Sequence, residues 1–393
     1  MTQTLAILGA TGSIGTQALE VLDAHPDAFR IDVLSASRNT EALARLARTH
    51  RPRTVVVADA DASQAIAPAL PEGTTVLVGA DGLAEAAAST DVVLNAVVGF
   101  AGVSATLAAL GAGRRLALAN KESLIVAAAL VDKVRSIPGA QLLPVDSEHC
   151  ALHQCLAGLT GPDPMRWVRR LVLTASGGPF RGRGAAELAD VTVDEALAHP
   201  TWTMGAKVTV DSSTLMNKGL EVLEAAALFG VGTDLVDVVV HPQSIVHSMV
   251  ELIDGSTIAQ LSRPDMRLPI AYALGYPARF DDGFGRLDFD APLELTFEPP
   301  DTTAFPCLAL AYEAGRLGGT APAWLNAADE CAVAAFLERR LAWTGIATVI
   351  EATLERYDGA ACTDIDALLR ADTVARQVAS GIIEDMSDAS APR

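Results

Sequence analysis

Lysine is the scarcest charged residue in this chain: four lysines stand against 25 arginines in 393 residues. Arginine serves as the general surface cation. The remaining Lys121, Lys133, Lys207 and Lys218 are therefore candidates for work that needs a compact, mobile point charge. Codon bias with arbitrary survivors is the competing explanation. Cysteine is sparse too. Its five copies, an odd count without a C-x-x-C pair, argue against a disulfide framework or zinc knuckle and fit a reducing, cytoplasmic compartment. Positive charge is in deficit: the formal net charge is −19, which argues against nucleic acid or an anionic membrane as partner. An anionic ligand must then find a local basic or dipolar pocket. No basic segment precedes an apolar core at the N-terminus, so no secretory leader is expected. One uncharged run, Val92 to Gly113, is long enough to cross a bilayer, but Asn95, Ser104 and glycines at 99, 102, 111 and 113 read better as strand, turn and helix.

Half the residues are hydrophobic, enough for several cores, and the length predicts two or three domains. Apolar strands alternate with amphipathic helices through the first 146 residues, which predicts a Rossmann-like parallel sheet covered on both faces. Strands are expected at 4–9, 29–36, 53–57, 75–78, 91–98 and 115–118, and the domain ends near 142–145. Residues 147–276 hold five of the seven histidines and carry strand signals at 168–174, 236–241 and 257–261, an α+β pattern. Residues 277–306, rich in Pro, Gly and Asp, read as a linker. From residue 307 to 393 the apolar spacing is helical, with expected helices at 324–341 and 346–357, a C-terminal bundle, and fraying from Ser387. The fold class is thus α/β, with a central α+β domain and a helical C-terminus.

Seven strings carry chemistry. Gly9-Ala10-Thr11-Gly12-Ser13-Ile14-Gly15 lies between a strand and a helix, where glycines let the backbone approach a pyrophosphate at a helix N-terminus; an ordinary tight turn is the plain alternative. Where an NAD enzyme places an acid after its second strand, Ser37-Arg38-Asn39 stand, which suits the 2′-phosphate of NADPH. Arg38 as a solvated charge is the other reading, and Asp32 lies too early for the ribose role. Asn120-Lys121-Glu122-Ser123 follows a strand at the end where ligands bind in such sheets; a helix N-terminus with a solvated charge pair is the plain alternative. Asp146 and Glu148, two apart in extended geometry, project to one side as a hard oxygen pair for Mg²⁺ or Mn²⁺. His149 and His153, four apart on a helix, lack the H-E-x-x-H arrangement and read as structural or as supports behind the metal ligands. Ser176-Gly177-Gly178 offers a hydroxyl and backbone N–H groups to an oxyanion. His199 to Gly205, with Trp202 and Met204 between Pro and Gly, suits a water-excluding lid or, equally, a packed Trp. In the last string Ser212, Asn217 and Lys218 are donors for a phosphate, and Glu221, which shares a helix face with Glu224, is able to complete the Asp146/Glu148 set.

Strings reading ANKES, PVDSEH, SGGPF, HPTWTMG, VDSSTLMNKGLE, HPQSIVHSM and PDMR occur here in one order. Together they closely resemble the 1-deoxy-D-xylulose 5-phosphate reductoisomerase family across nearly the whole chain. The resemblance implies a homodimer that converts 1-deoxy-D-xylulose 5-phosphate to 2-C-methyl-D-erythritol 4-phosphate by retro-aldol cleavage, re-aldol joining and hydride transfer from NADPH. It implies a divalent metal (Mg²⁺, Mn²⁺ or Co²⁺) on Asp146, Glu148 and Glu221, with Lys121 and those carboxylates catalytic. Substrate would meet Lys121, Ser147, Glu148, Ser176, His199, Ser212, Asn217, Lys218 and Glu221. NADPH would meet Thr11, Gly12, Ser13, Ile14, Arg38, Asn39, Asn120, Glu122 and Gly205. Trp202 and Met204 would form the lid, with His247 and Met266 in support. Three other readings compete: a semialdehyde-type dehydrogenase, which needs a reactive cysteine that Cys150 beside two acids is poorly placed to be; an NADPH-sensing regulator without turnover; and a metal-dependent aldolase without redox, against which the glycine-rich loop argues.

Overall fold

The computed structural model describes residues 2–161, 163–202, 204–281 and 283–390. The chain packs as two compact units. The first takes the described residues up to Ser123 with Ala129–Cys150 and Asp265–Arg286; the second takes Leu124–Ala128, Ala151–Pro264 and the described residues from Leu287 onward.

Seven strands form the sheet of the first unit: β1 Gln3–Leu8, β2 Phe29–Ser35, β3 Thr54–Val57, β4 Thr75–Val78, β5 Val92–Asn95, β6 Arg115–Leu118 and β7 Gln141–Pro144. All pair in parallel in the order β4-β3-β2-β1-β5-β6-β7. Leu5, Ala6, Ile7 and Leu8 are all 0% exposed, so β1 is buried on both faces, as its unbroken apolar run requires. The uncharged run from Val92 resolves into β5, a glycine turn and the helix Gly102–Gly111, as its glycines predict. Among the described residues no helix is long and apolar enough to cross a membrane.

The helix Arg267–Gly275 packs on the helix Ser13–Ala24, inserting Ile270, Ala271, Ala273 and Leu274 into the core of this unit. Phe280 stacks on His25 with ring centroids 4.3 Å apart. Composition placed 265–276 with the central segment; packing places it with the parallel sheet, because its apolar face finds its partners there.

The second unit holds a mixed sheet of β8 Val168–Ala175, β9 Val236–Val240, β10 Val246–Leu252 and β11 Thr257–Leu261, in the order β11-β10-β8-β9. β8 and β9 are parallel, while β10 runs antiparallel to β8 and β11. β10 was not anticipated, since His247, Ser248 and Glu251 interrupt its apolar run. His241 ties a distant segment to this sheet. Its Nδ1–H donates to the Thr296 carbonyl at 2.8 Å, its Nε2 accepts from the Ile245 and Val246 N–H groups, and its ring stacks on Phe297. The helices Cys307–Leu317, Ala321–Leu337, Trp343–Leu354 and Ile365–Ser390 complete the unit. The last continues to Ser390, past the fraying expected from Ser387, because Leu368, Ala371, Ala375, Ala379 and Ile383 bury one face; residues 391–393 lie outside the described residues.

Candidate active site

In the first unit the sheet order reverses between β1 and β5, and a ligand crevice opens at the carboxyl ends of strands at such a switch. The glycine-rich loop stands there. Gly9 has φ +84°, and a Cβ on it would lie 2.5 Å from the Ala96 carbonyl oxygen; a Cβ on Gly15 would lie 2.4 Å from the Gly9 oxygen. The close approaches, as well as the turn, demand glycine. Gly9 N–H donates to Ser35 Oγ at 2.9 Å, fastening the loop to the end of β2. No side chain caps the helix Ser13–Ala24 and no acid sits in its first turn, so its N–H groups face Thr11, Gly12 and Ser13 open for an anion. Arg38 is exposed just beyond β2. Asn39 caps the helix Thr40–His50 through the Ala42 N–H. Asp32 is engaged by Arg30 and Arg53 at 3.1 and 2.6 Å, which removes it from a ribose role.

Asn120 is buried. Its amide donates to the Val97 and Gly99 carbonyls at 2.7 and 2.9 Å, and Glu122 accepts the Gly99 N–H at 3.0 Å. Both side chains therefore hold the loop after β5, a positioning task that the string alone did not reveal.

Lys121 Nζ lies 2.5 Å from Asp146 Oδ2, and His149 Nδ1 lies 3.2 Å from Asp146 Oδ1. Burial opposes the charge on Asp146, yet Lys121 and His149 hold its carboxyl well below the usual range. Asp146 and Glu148 do not sit in the extended geometry expected of them. A helix, Ser147–Ala157, starts at once: Asp146 accepts the Glu148 N–H at 3.2 Å, and Ser147 Oγ donates to Glu148. The helix start still brings one oxygen of each carboxylate within 4.8 Å, a spacing that fits a hard cation.

In the second unit, three residues from separate strings converge. Ser176 Oγ and Ser212 Oγ each lie 3.1 Å from His199 Nε2. His199 Nδ1 accepts the Thr201 and Trp202 N–H groups at 3.1 and 2.9 Å, so the ring proton sits on Nε2. Burial lowers the His199 pKa and favours this neutral form. Gly177 and Gly178 (φ +85° and +66°) make the approach possible, for a Cβ on Gly178 would lie 2.6 Å from the Ser212 carbonyl oxygen. Gly178 N–H and the imidazole satisfy Ser176 Oγ as acceptor, leaving its hydroxyl hydrogen to donate. Such a set suits a tetrahedral oxyanion.

Ser212 lies on the helix Ala206–Ser213, which starts at exposed Gly205. Asn217, Lys218 and Glu221 lie on the next, Met216–Phe229, and Leu215 between them takes φ +61°, a left-handed conformation that costs a side chain about 1–2 kcal/mol. Asn217 Nδ2 donates to Glu221 Oε1 at 2.6 Å, and Lys218 pairs with Glu221 Oε2. Trp202 is half-buried with its ring 6.3 Å from that of His247; Met204 is half-buried and Thr203 lies outside the described residues. Met266 packs against the core of the first unit.

A parallel sheet with an open glycine-rich helix start, in a chain whose second unit carries a hydroxyl–imidazole cluster, defines a Rossmann-type oxidoreductase. The model described as 1-deoxy-D-xylulose 5-phosphate reductoisomerase matches residues 5–128, and two models of that family's C-terminal domain match 142–229 and 261–378. The chain belongs to the 1-deoxy-D-xylulose 5-phosphate reductoisomerase family. The enzyme of that name from Xanthomonas axonopodis pv. citri is 50% identical over 383 residues, covering 95% of either chain, and that from Ralstonia pickettii is 51% identical over 385 residues, covering 96% of this chain and 97% of its own. The Zymomonas mobilis structure in complex with NADPH superposes with a TM-score of 0.91 at 41% identity, covering 98% of this chain and 100% of its own. A DOX-P reductoisomerase structure with NADPH, fosmidomycin and magnesium gives 0.91 at 42% identity, covering 97% and 98%.

Proposed function

We propose that this chain converts 1-deoxy-D-xylulose 5-phosphate to 2-C-methyl-D-erythritol 4-phosphate in isoprenoid biosynthesis, using NADPH and a divalent metal. The observation that carries this is the match to relatives of that name at half identity over 95% of the chain. NADPH lies with its pyrophosphate on the open helix start at Gly12–Ser13, its 2′-phosphate near Arg38 and Asn39, and Ile14 and Gly205 against it. Asn120 and Glu122 serve it by holding the loop after β5. Asp146, Glu148 and Glu221 hold the metal, which supplies Lewis acidity to adjacent carbonyl and hydroxyl oxygens. Lys121 and Ser147 orient that end of the substrate. Ser176, His199, Ser212, Asn217 and Lys218 grip the phosphate, remote from the reacting bond, so that binding energy holds both fragments during carbon–carbon cleavage. Trp202 and Met204 exclude water. The functional division we propose follows the sequence segments 1–146, 147–276, 277–306 (a linker) and 307–393, with 265–286 packing in the first unit. We further infer a cytoplasmic homodimer, the compartment supported by an odd cysteine count without a C-x-x-C pair.

The test is NADPH oxidation, followed by absorbance, with 1-deoxy-D-xylulose 5-phosphate, with and without Mg²⁺ or Mn²⁺ and with a chelator. Loss of NADPH that needs both substrate and metal is the expected result. NADPH binding without turnover would leave a sensor.

A further inference from the structure

Lys207 has no part in the reaction just described, yet it stands against two buried acids in the second unit. It lies in the first turn of the helix Ala206–Ser213. Its Nζ is 2.7 Å from Asp211 Oδ2, one turn later, and 2.7 Å from Asp329 Oδ2 on the helix Ala321–Leu337. Asp211 is 1% exposed and Asp329 0%. Asp211 Oδ1 and Asp329 Oδ1 have no hydrogen-bond partner among the described residues. Burial and the facing Asp329 push the Asp211 carboxyl well above its ordinary range, against the pull of Lys207. Burial also works against the charge on Lys207, but the two acids outweigh it and keep the ammonium. The trio therefore gathers one ammonium and two buried carboxyl groups at the junction of two helices.

Buried ions of this kind give less stability than apolar packing of the same volume, and their best-attested use is to fix one arrangement. What they fix here is the helix that ends in Ser212 and Ser213. Asp211 and Lys207 lock it to Asp329, and Ser213 Oγ accepts the Trp343 indole N–H at 2.9 Å. Ser212, between those two anchors, turns its hydroxyl to His199.

We propose that the Lys207–Asp211–Asp329 trio positions Ser212 for phosphate, which makes Asp329, in the C-terminal helical region and outside every motif, a positioning residue for substrate binding. This rests on the reading of Ser176, His199 and Ser212 as the phosphate grip. The full-length, metal-loaded enzyme is assayed for inhibition by inorganic phosphate and for NADPH affinity, with Asp329→Asn, Lys207→Met and, as control, Ser212→Ala. Asp329→Asn and Lys207→Met should each raise the phosphate inhibition constant and the substrate KM about tenfold, the scale of a hydroxyl misplaced by a fraction of an ångström, with kcat and NADPH affinity within about twofold. If Ser212→Ala weakens phosphate and the trio variants do not, or if they weaken NADPH equally, the trio is merely structural and the proposal is overturned. If Ser212→Ala leaves phosphate inhibition unchanged, the phosphate reading falls and this proposal with it. Should Asp329→Asn fail to fold, Lys207→Met decides by the same criteria.

Discussion

His247 is 5% exposed, and burial pushes its imidazole down from 6.5 to about 4. A group whose folded pKa is depressed contributes stability above its unfolded pKa and loses it as pH falls towards the folded one. Between pH 6.5 and 4 this single residue should remove about 3 kcal/mol. Urea midpoints for the native chain and His247→Gln should thus converge as pH falls; parallel pH slopes would refute the assignment. The Asp146 carboxyl is likewise held low, here because Lys121 and His149 keep it ionised against the cost of burial. Asp146→Asn should cost about 3 kcal/mol in the transition state, about a hundredfold in metal-dependent kcat/KM, with NADPH affinity intact. Near-normal turnover would take Asp146 out of the metal set. At the edge of the cofactor site, Arg38→Asp should weaken NADPH more than NADH, read as the ratio of their KM values; an unchanged ratio would contradict the 2′-phosphate role.

At the scale of elements, the glycine loop is the most constrained turn. Gly15→Ala places its methyl against the Gly9 carbonyl and the Ala10 Cα, both backbone. Something must shift, and a loss of about 2–3 kcal/mol with weakened NADPH binding is expected from thermal melts and fluorescence titration. This loop, the strands around it and the order of chemical strings were readable from sequence because each rests on local rules: glycine at strand ends, apolar runs of strand length, helix caps. The start of the next helix at Ser147 was not, since two acids at i and i+2 suit a strand as well as a first helical turn. Asn120 and Glu122 looked like ligand residues because nothing local reveals that their hydrogen-bond partners lie 21 to 23 residues upstream. Asp211 and Asp329, 118 positions apart in sequence, gave no signal at all until the helices packed.

For the whole molecule, charge is the dominant global property. A body of −19 repels both a phosphate ester and NADPH at long range. Raising salt from about 10 mM to about 150 mM shortens the screening length from about 30 Å to about 8 Å. Substrate kcat/KM should therefore rise across that range at saturating metal; a fall would mean that local lysines steer capture more strongly than the body repels it. The scarcity of lysine has a practical side. Lys121, Lys207 and Lys218 are each clamped to a carboxylate, and Lys133 is the exposed one. Acylating reagents need an accessible, deprotonated amine, so a mild dose of an activated ester should mark Lys133 before the other three lysines. A fluorophore placed there would leave the proposed ligand-binding residues untouched, and a later adduct on Lys121 would report that its bond to Asp146 had opened.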